Sequence, residues 1–325
     1  MISRRRFIAF LGGLAFARTA PGCAWLDDKP VTVAAHVWSG YEPLFLAQRE
    51  GWLDARRVRL VETRSASDSM KALVNGTVEG AALTLDEALR ARGNGVPLSV
   101  VMIFDISAGA DMLIARAGIT CIADLRGRSI GFEQGGVGAL MLTEALRSAG
   151  LTHGDVKLTP LTIDQHLDAW RRNLVDACIT FEPVAGRLLG LGGHNLFDSR
   201  RLPDTIVDVL AMRGDLLNRR GNAITVLIQG HFRALEHLWQ NPQDAAYRMA
   251  SHMNLPAAAV LSTFKGMVLP DAANNYRLLT GESPEVLTIA RKLSTLMVKN
   301  GLLKEEDSMN ALILADFLPA TLQEQ

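Results

Sequence analysis

The chain has 325 residues, 48% of them hydrophobic and 21% charged, and Lys plus Arg equal Asp plus Glu at 34 each. That length exceeds the usual single domain and predicts two lobes. The balanced charge gives no sign of a nucleic-acid-binding face, and three cysteines without ligand spacing argue against both a disulfide scaffold and a metal site.

Residues 1–23 read as an export signal. Arg4, Arg5 and Arg6 form a positive n-region, and Ile8 through Ala17 supply an apolar stretch too short for a permanent membrane anchor. Ser3-Arg4-Arg5-Arg6-Phe7-Ile8 resembles a twin-arginine export signal. Ala20-Pro21-Gly22-Cys23 resembles a lipobox, although Ala20 stands where Leu is usual; lipidation of Cys23 would hold the protein on a membrane, in the periplasm or at the envelope surface. Residues 24–30 then form a short polar tether.

From Val31 short apolar runs alternate with helical stretches, the pattern of parallel βα units. Residues 31–110 are expected to form the first part of lobe 1. The strand Val31–Val37 leads to a helix near Pro43, and the strand Arg57–Glu62 to a helix Asp68–Asn75 stopped by Gly76. Glu79–Thr84, Asp86–Ala91 and Leu98–Phe104 complete that series. Lobe 2, residues 111–204, repeats the rhythm. Its strands are Asp111–Arg116, Ser129–Phe132, Val156–Leu161 and Ala177–Thr180; its helices are Val137–Ser148, Asp164–Arg172 and one from Pro183. Residues 205–325 return to lobe 1, with Asp204–Met212 as the carrying strand and helices expected over Ile224–Ser251, Ala257–Gly266, Pro284–Asn300 and Met309–Leu322. Cys121 and Cys178 fit small buried residues. The fold class expected is α/β, two lobes of mainly parallel sheet flanked by helices, with a helical C-terminal region.

Ligands in such folds bind beyond the carboxyl ends of the strands. Trp38-Ser39-Gly40-Tyr41 follows the first strand, so Trp38 and Tyr41 either wall a ligand or seal the lobe's edge. Gln134-Gly135-Gly136-Val137 joins a strand to a helix; its amides could face an oxygen, or its glycines could serve a turn needing positive φ. Asp105 through Asp111 is rich in small residues and suits a hinge, with Asp105 either a ligand acceptor or a cap. Thr84 opens a helix and suits an N-cap, and His36 reads as a satisfied core residue.

Trp38-Ser39-Gly40-Tyr41-Glu42-Pro43-Leu44 with Gly51-Trp52-Leu53 resembles the opening of nitrate/sulfonate/taurine-type binding proteins, a group that includes thiamine-pyrimidine-precursor binders. Ala72 to Ala81, Asp124 to Gly131, Asn173 to Ala177 and Phe181-Glu182-Pro183 continue the resemblance over roughly residues 31–190. The resemblance implies a type II-like periplasmic binding protein of an ABC importer, without enzymatic activity, cofactor or metal. It implies as partners a small-molecule ligand and the permease and ATPase subunits, with no nucleic acid, for a chain expected to be monomeric. Carried over by position, the ligand-binding residues are Trp38, Tyr41, Ser65, Ser67, Thr84, Asp86, Asp105 and Ser107 in one group. Gln134, Gly135, Gly136, Val137 and Glu182 form another.

A sulfonate or nitrate site wants basic groups or clustered N–H donors. The strand-end residues are instead aromatic or acidic: Trp38, Tyr41, Glu42, Asp86, Asp105, Glu133 and Glu182. Both an oxyanion and a pyrimidine- or amine-like ligand stay open on sequence. The other readings are a sensing module that signals to a membrane receptor and a thiamine-pyrimidine biosynthetic enzyme. The enzyme's cysteine-rich segment has no counterpart here.

Overall fold

A computed structural model describes residues 29–319; the export signal, Cys23 and most of the tether lie outside them. The β–α rhythm closes into two sheets. β1 (Val31–His36), β2 (Val58–Thr63), β3 (Gly80–Thr84), β4 (Leu98–Ser107), β10 (Val207–Arg213) and β11 (Met267–Val268) form a six-stranded sheet, ordered β11-β4-β10-β3-β1-β2. β5 (Asp111–Ala115), β6 (Ser129–Phe132), β7 (Lys157–Pro160), β8 (Ala177–Phe181) and β9 (His194–Asp198) form a five-stranded sheet, ordered β7-β6-β8-β5-β9. This is the expected α/β, two-lobed architecture.

Parallel pairing dominates where βα units follow one another, as between β1 and β2, β1 and β3, β6 and β7, and β6 and β8. Strands covered on both faces must be apolar throughout, and β3 and β8 are buried at every position. β10 enters antiparallel between β3 and β4, and β5 antiparallel between β8 and β9. These are the strands next to the two crossings between sheets.

Helices α1 (Glu42–Arg49), α2 (Ala66–Val74) and α3 (Leu85–Gly93) follow β1, β2 and β3. Helices α4 (Val137–Ser148), α5 (Ile163–Arg171) and α6 (Val184–Gly190) follow β6, β7 and β8. Each helix therefore starts at the carboxyl edge of its sheet. The chain crosses from β4 to β5 through 108–110 and returns from β9 to β10 through 199–206. Ser107 Oγ lies 2.7 Å from Ser199 Oγ, and the Gly109 amide donates to Ser199 Oγ at 2.6 Å, so the crossings are tied together. Gly109 has φ +121°, which a side chain would resist.

Several expectations need correction. The stretch 224–251 is two helices, α7 (Leu217–Gln240) and α8 (Pro242–Ala250), because Pro242 can begin a helix but not continue one. The segment 257–266 holds only the short helix α9 (Ala257–Val260) and a 3-10 turn over Leu261–Phe264. A helix α10 (Ala272–Leu279) follows it, ahead of α11 (Glu285–Lys299). Within the described residues, 309–319 is not helical. Met309 and Ala311 take positive φ, and Leu312 O and Leu314 N both bond to Val100 on β4. Pairing with a strand there satisfies backbone groups and buries Leu312. Both cysteines are free, but only Cys178 is buried; Cys121 opens a surface turn and is exposed. No helix among the described residues is long and apolar enough to cross a membrane.

Candidate functional site

The carboxyl edges of the two sheets face each other. On lobe 1, register places Asp208 of β10 between Thr84 of β3 and Asp105 of β4. The turn after β1 folds over this row. Trp38 Nε1 donates to Asp105 Oδ2 at 3.0 Å, and the Tyr41 hydroxyl donates to Asp208 Oδ1. Gly40 lies so close that a Cβ there would collide with Asp105 Oδ2 and Trp38 Nε1. On lobe 2, Asp111 at the start of β5 pairs with Phe181 at the end of β8. Phe181 meets Trp38 edge-on at 5.2 Å and His36 at 5.8 Å, so its ring joins the lobes.

Two carboxylates cross the cleft in opposite directions. Glu133, after β6, accepts the Ser67 amide of α2 at 2.8 Å. Glu87, on α3, accepts the Val137 amide of α4 at 3.0 Å. Each carboxylate occupies the first turn of a helix in the other lobe, where unpaired amides and the helix dipole favour negative charge. A Cβ on Gly135 would strike Ser67 Oγ, and one on Gly136 would lie 2.9 Å from Glu87 Oε1. These two glycines allow close approach of the lobes; neither takes positive φ. Glu133→Ala is expected to speed amide exchange at Ser67 by roughly tenfold or more, read by hydrogen–deuterium exchange. Unchanged exchange at Ser67 would mean that this contact holds nothing.

The cleft is crowded with acid. Burial pushes Asp105 up to about 7 against the Trp38 hydrogen bond, and Asp111 adds to the rise. Burial likewise takes Asp111 to about 7, with Ser107 opposing and Asp86 adding. Glu87 is pushed up to about 8 by burial and then by the charge of Asp86. Asp208 is raised well above the carboxylate range by burial and by Asp105 beside it, and Asp86 is raised by burial against the pull of Arg90. Arg90 Nη2 lies 3.6 Å from Asp86 Oδ2, and the guanidinium also donates to the Gln134 and Gly136 carbonyls. Asp86 Oδ2, Asp105 Oδ1 and Asp111 Oδ2 are buried without a hydrogen-bond partner.

The residues expected at the site divide accordingly. Trp38, Tyr41, Asp86 and Asp105 face the cleft from lobe 1, and Ser67, Gly135, Gly136 and Val137 form its reciprocal contacts. Four others act locally. Ser65 accepts the Asp68 amide as the cap of α2, the Thr84 amide donates to Glu87 Oε2 at 2.9 Å, and Ser107 ties the crossings. Glu182 accepts the Gly186 amide at the start of α6. Gln134 is exposed and contributes its carbonyl. Glu42 is turned toward His252 at 2.7 Å. His36 stands at the end of β1 against Tyr41 and Phe181, with Nδ1 unpartnered and burial lowering its pKa to about 4, so it is not a satisfied core residue. Sequence reasoning missed Asp208, Glu87, Arg90, Asp111 and Phe181 as cleft residues. An acid in an otherwise apolar strand was the available signal for Asp208.

The model of the NMT1-like family matches residues 26–254. The taurine-binding periplasmic protein of Escherichia coli (strain K12) is 23% identical over 291 residues, 86% of this chain and 88% of that protein. The alkanesulfonate-binding protein of Xanthomonas axonopodis pv. citri, solved with MOPS bound, superposes with a TM-score of 0.75 at 18% identity, covering 88% of this chain and 99% of that one. A desulfurization enzyme shares the fold as well, with a TM-score of 0.64 at 18% identity, over 90% of this chain and 99% of that one.

Proposed function

Because the chain belongs to the NMT1-like family and folds as a two-lobed periplasmic binding protein, we propose that it is the substrate-binding component of an ABC importer. It captures a small organic solute between its lobes and delivers it to a permease. The observation that carries this reading is the pair of sheet edges facing each other across two tied crossings, with aromatic and carboxylate groups from both lobes turned inward. A solute touching both edges favours the closed state, which is the form a permease can distinguish from the open one.

A desulfurization enzyme shares the fold, and one fold can carry binding in one protein and chemistry in another. Cys178 sits mid-strand with its thiol pushed up by burial, the condition of an unreactive cysteine, so it does not serve such chemistry as a nucleophile. The protein works as a monomer in the periplasm or on the envelope surface, without a cofactor. Mature protein used as bait is expected to retain the permease and ATPase subunits when solute is present. Retention of a membrane receptor and no permease would instead favour sensing.

The lipobox-like Ala20-Pro21-Gly22-Cys23 supports membrane attachment. Cys23→Ser is expected to move the protein from the membrane to the soluble fraction on cell fractionation. Persistent membrane association of that variant would rule out lipidation at Cys23.

A further inference from the structure

We infer that the solute is an organic cation, an amine or amidine whose positive head sits among Asp86, Asp105 and Asp111 with Trp38 and Phe181 beside it. The inference rests on capture between the lobes and names the charge of what is captured.

Four observations carry it. The first concerns the places an oxyanion would take. The N-terminal amides of α2 and α4 face the cleft, and each already binds a carboxylate of this chain, Glu133 on Ser67 and Glu87 on Val137. A sulfonate entering there would have to displace a carboxyl group that already accepts those amides.

The second is the polar capacity left over. Asp86 Oδ2, Asp105 Oδ1 and Asp111 Oδ2 are buried without a hydrogen-bond partner, on residues that are 1%, 0% and 4% exposed, and Arg90 lies 3.6 Å from the first of them. Once ionised, such an oxygen only accepts hydrogen bonds, so a ligand that takes the place of the proton there must donate. These acceptors come from both lobes, and a donor between them would draw the lobes together.

The third is the charge balance. Asp86, Glu87, Asp105, Asp111, Glu133 and Asp208 are all buried, and among the described residues Arg90 forms an ion pair with one of them, Asp86. Arg90 Nε has no partner, but its Nη2 lies 3.6 Å from Asp86, so the pair offers an anion no net attraction. A cation relieves the repulsion among the carboxylates; an anion adds to it.

The fourth is the wall. Trp38 and Phe181 meet edge-on across the cleft, with Tyr41 and His36 behind them. Aromatic faces beside carboxylates suit an alkylammonium or amidinium. Among the described residues no three His, Cys, Asp or Glu side chains lie close enough together to ligate a metal ion, and the proposed head is a larger organic one.

The test is thermal unfolding of the mature protein with putrescine, choline and benzamidine as cationic probes, and ethanesulfonate and MOPS as anionic ones. At least one cation is expected to raise Tm by about 5 °C at a hundredfold excess over its Kd. Asp105→Asn and Asp111→Asn are each expected to weaken that cation by roughly 10- to 100-fold while keeping a cooperative transition. Stabilisation by either sulfonate, or by none of the three cations, would overturn the charge assignment. A sulfonate response lost in Trp38→Ala would do so while leaving capture between the lobes intact. A cation response unaffected by both Asp variants would place the cation outside the cleft and count against the capture reading itself.

Discussion

Between about pH 6.5 and 8, ligand-free protein is expected to lose stability on the order of 3 kcal/mol, measured by urea unfolding at the two ends of that range. The buried acids set the direction. Asp105 and Asp111, at about 7, and Glu87, at about 8, hold protons more tightly folded than unfolded, where carboxylates titrate near 4. The folded state thus binds more protons from about pH 4 upward, and stability falls with pH until the folded groups have ionised. Three buried histidines oppose this at the acid end. His36 and His166, at about 4, and His231, at about 3, are lowered by burial, so the unfolded chain binds more protons up to about pH 6.5. The two sets roughly offset below that pH, which leaves the loss between about 6.5 and 8. His252 acts in the same direction there: burial lowers it, but Glu42 and Glu62 raise it overall, and that stability fades as it deprotonates. Surface carboxylates held low by arginines, such as Asp54 and Asp244, act only in acid. Rising stability between about pH 6.5 and 8 would contradict the burial of these acids. A bound cation is expected to shrink the loss, because it replaces the protons.

Trp38→Ala is expected to cost about 3–5 kcal/mol of stability and to weaken a stabilising cation by roughly 30-fold or more. The indole is 3% exposed, meets Phe181 of the other lobe and supplies the hydrogen bond that Asp105 Oδ2 accepts. Its removal leaves a cavity, an additional unpaired carboxylate oxygen and no ring across the cleft. A domain in the upper part of the ordinary range of about 5–15 kcal/mol stays folded under that cost. Chemical denaturation reads the first effect and calorimetric titration the second. Unchanged affinity in calorimetry would place the ring outside the site, and unchanged stability would mean that it does not seal the edge. The sealing reading of Trp38 fits a buried ring that packs on Phe181 of the other lobe; the ligand-wall reading is the one the calorimetric titration tests.

The strands were legible because buried parallel strands must be apolar and their helices must start with caps. Val137–Ser148 and Ser129–Phe132 match to the residue. The tail after Asn300 was not, because its apolar spacing fits a helix while its partner, Val100 on β4, lies some two hundred positions earlier in the chain. The site was half legible. Trp38, Asp86 and Asp105 stand at strand ends, where position alone singles them out. Asp208 begins a returning strand, and only its antiparallel register beside Asp105 brings it to the cleft. Glu87 reads as a capping residue from its spacing to Thr84 and is one, through Oε2; its second oxygen reaches the other lobe. Local spacing reports the first role and carries no trace of the second.

If the two lobes close on a small solute, small-angle X-ray scattering of the mature protein at about pH 8 reads that closure as a change in size. With Asp105 and Asp111 ionised, the ligand-free protein is expected to be open, with a larger radius of gyration than the closed structure. Addition of the cation that stabilises it should contract the scattering profile to the closed one, and Asp105→Asn should blunt that response. Identical profiles with and without a cation that raises Tm would contradict closure on a solute.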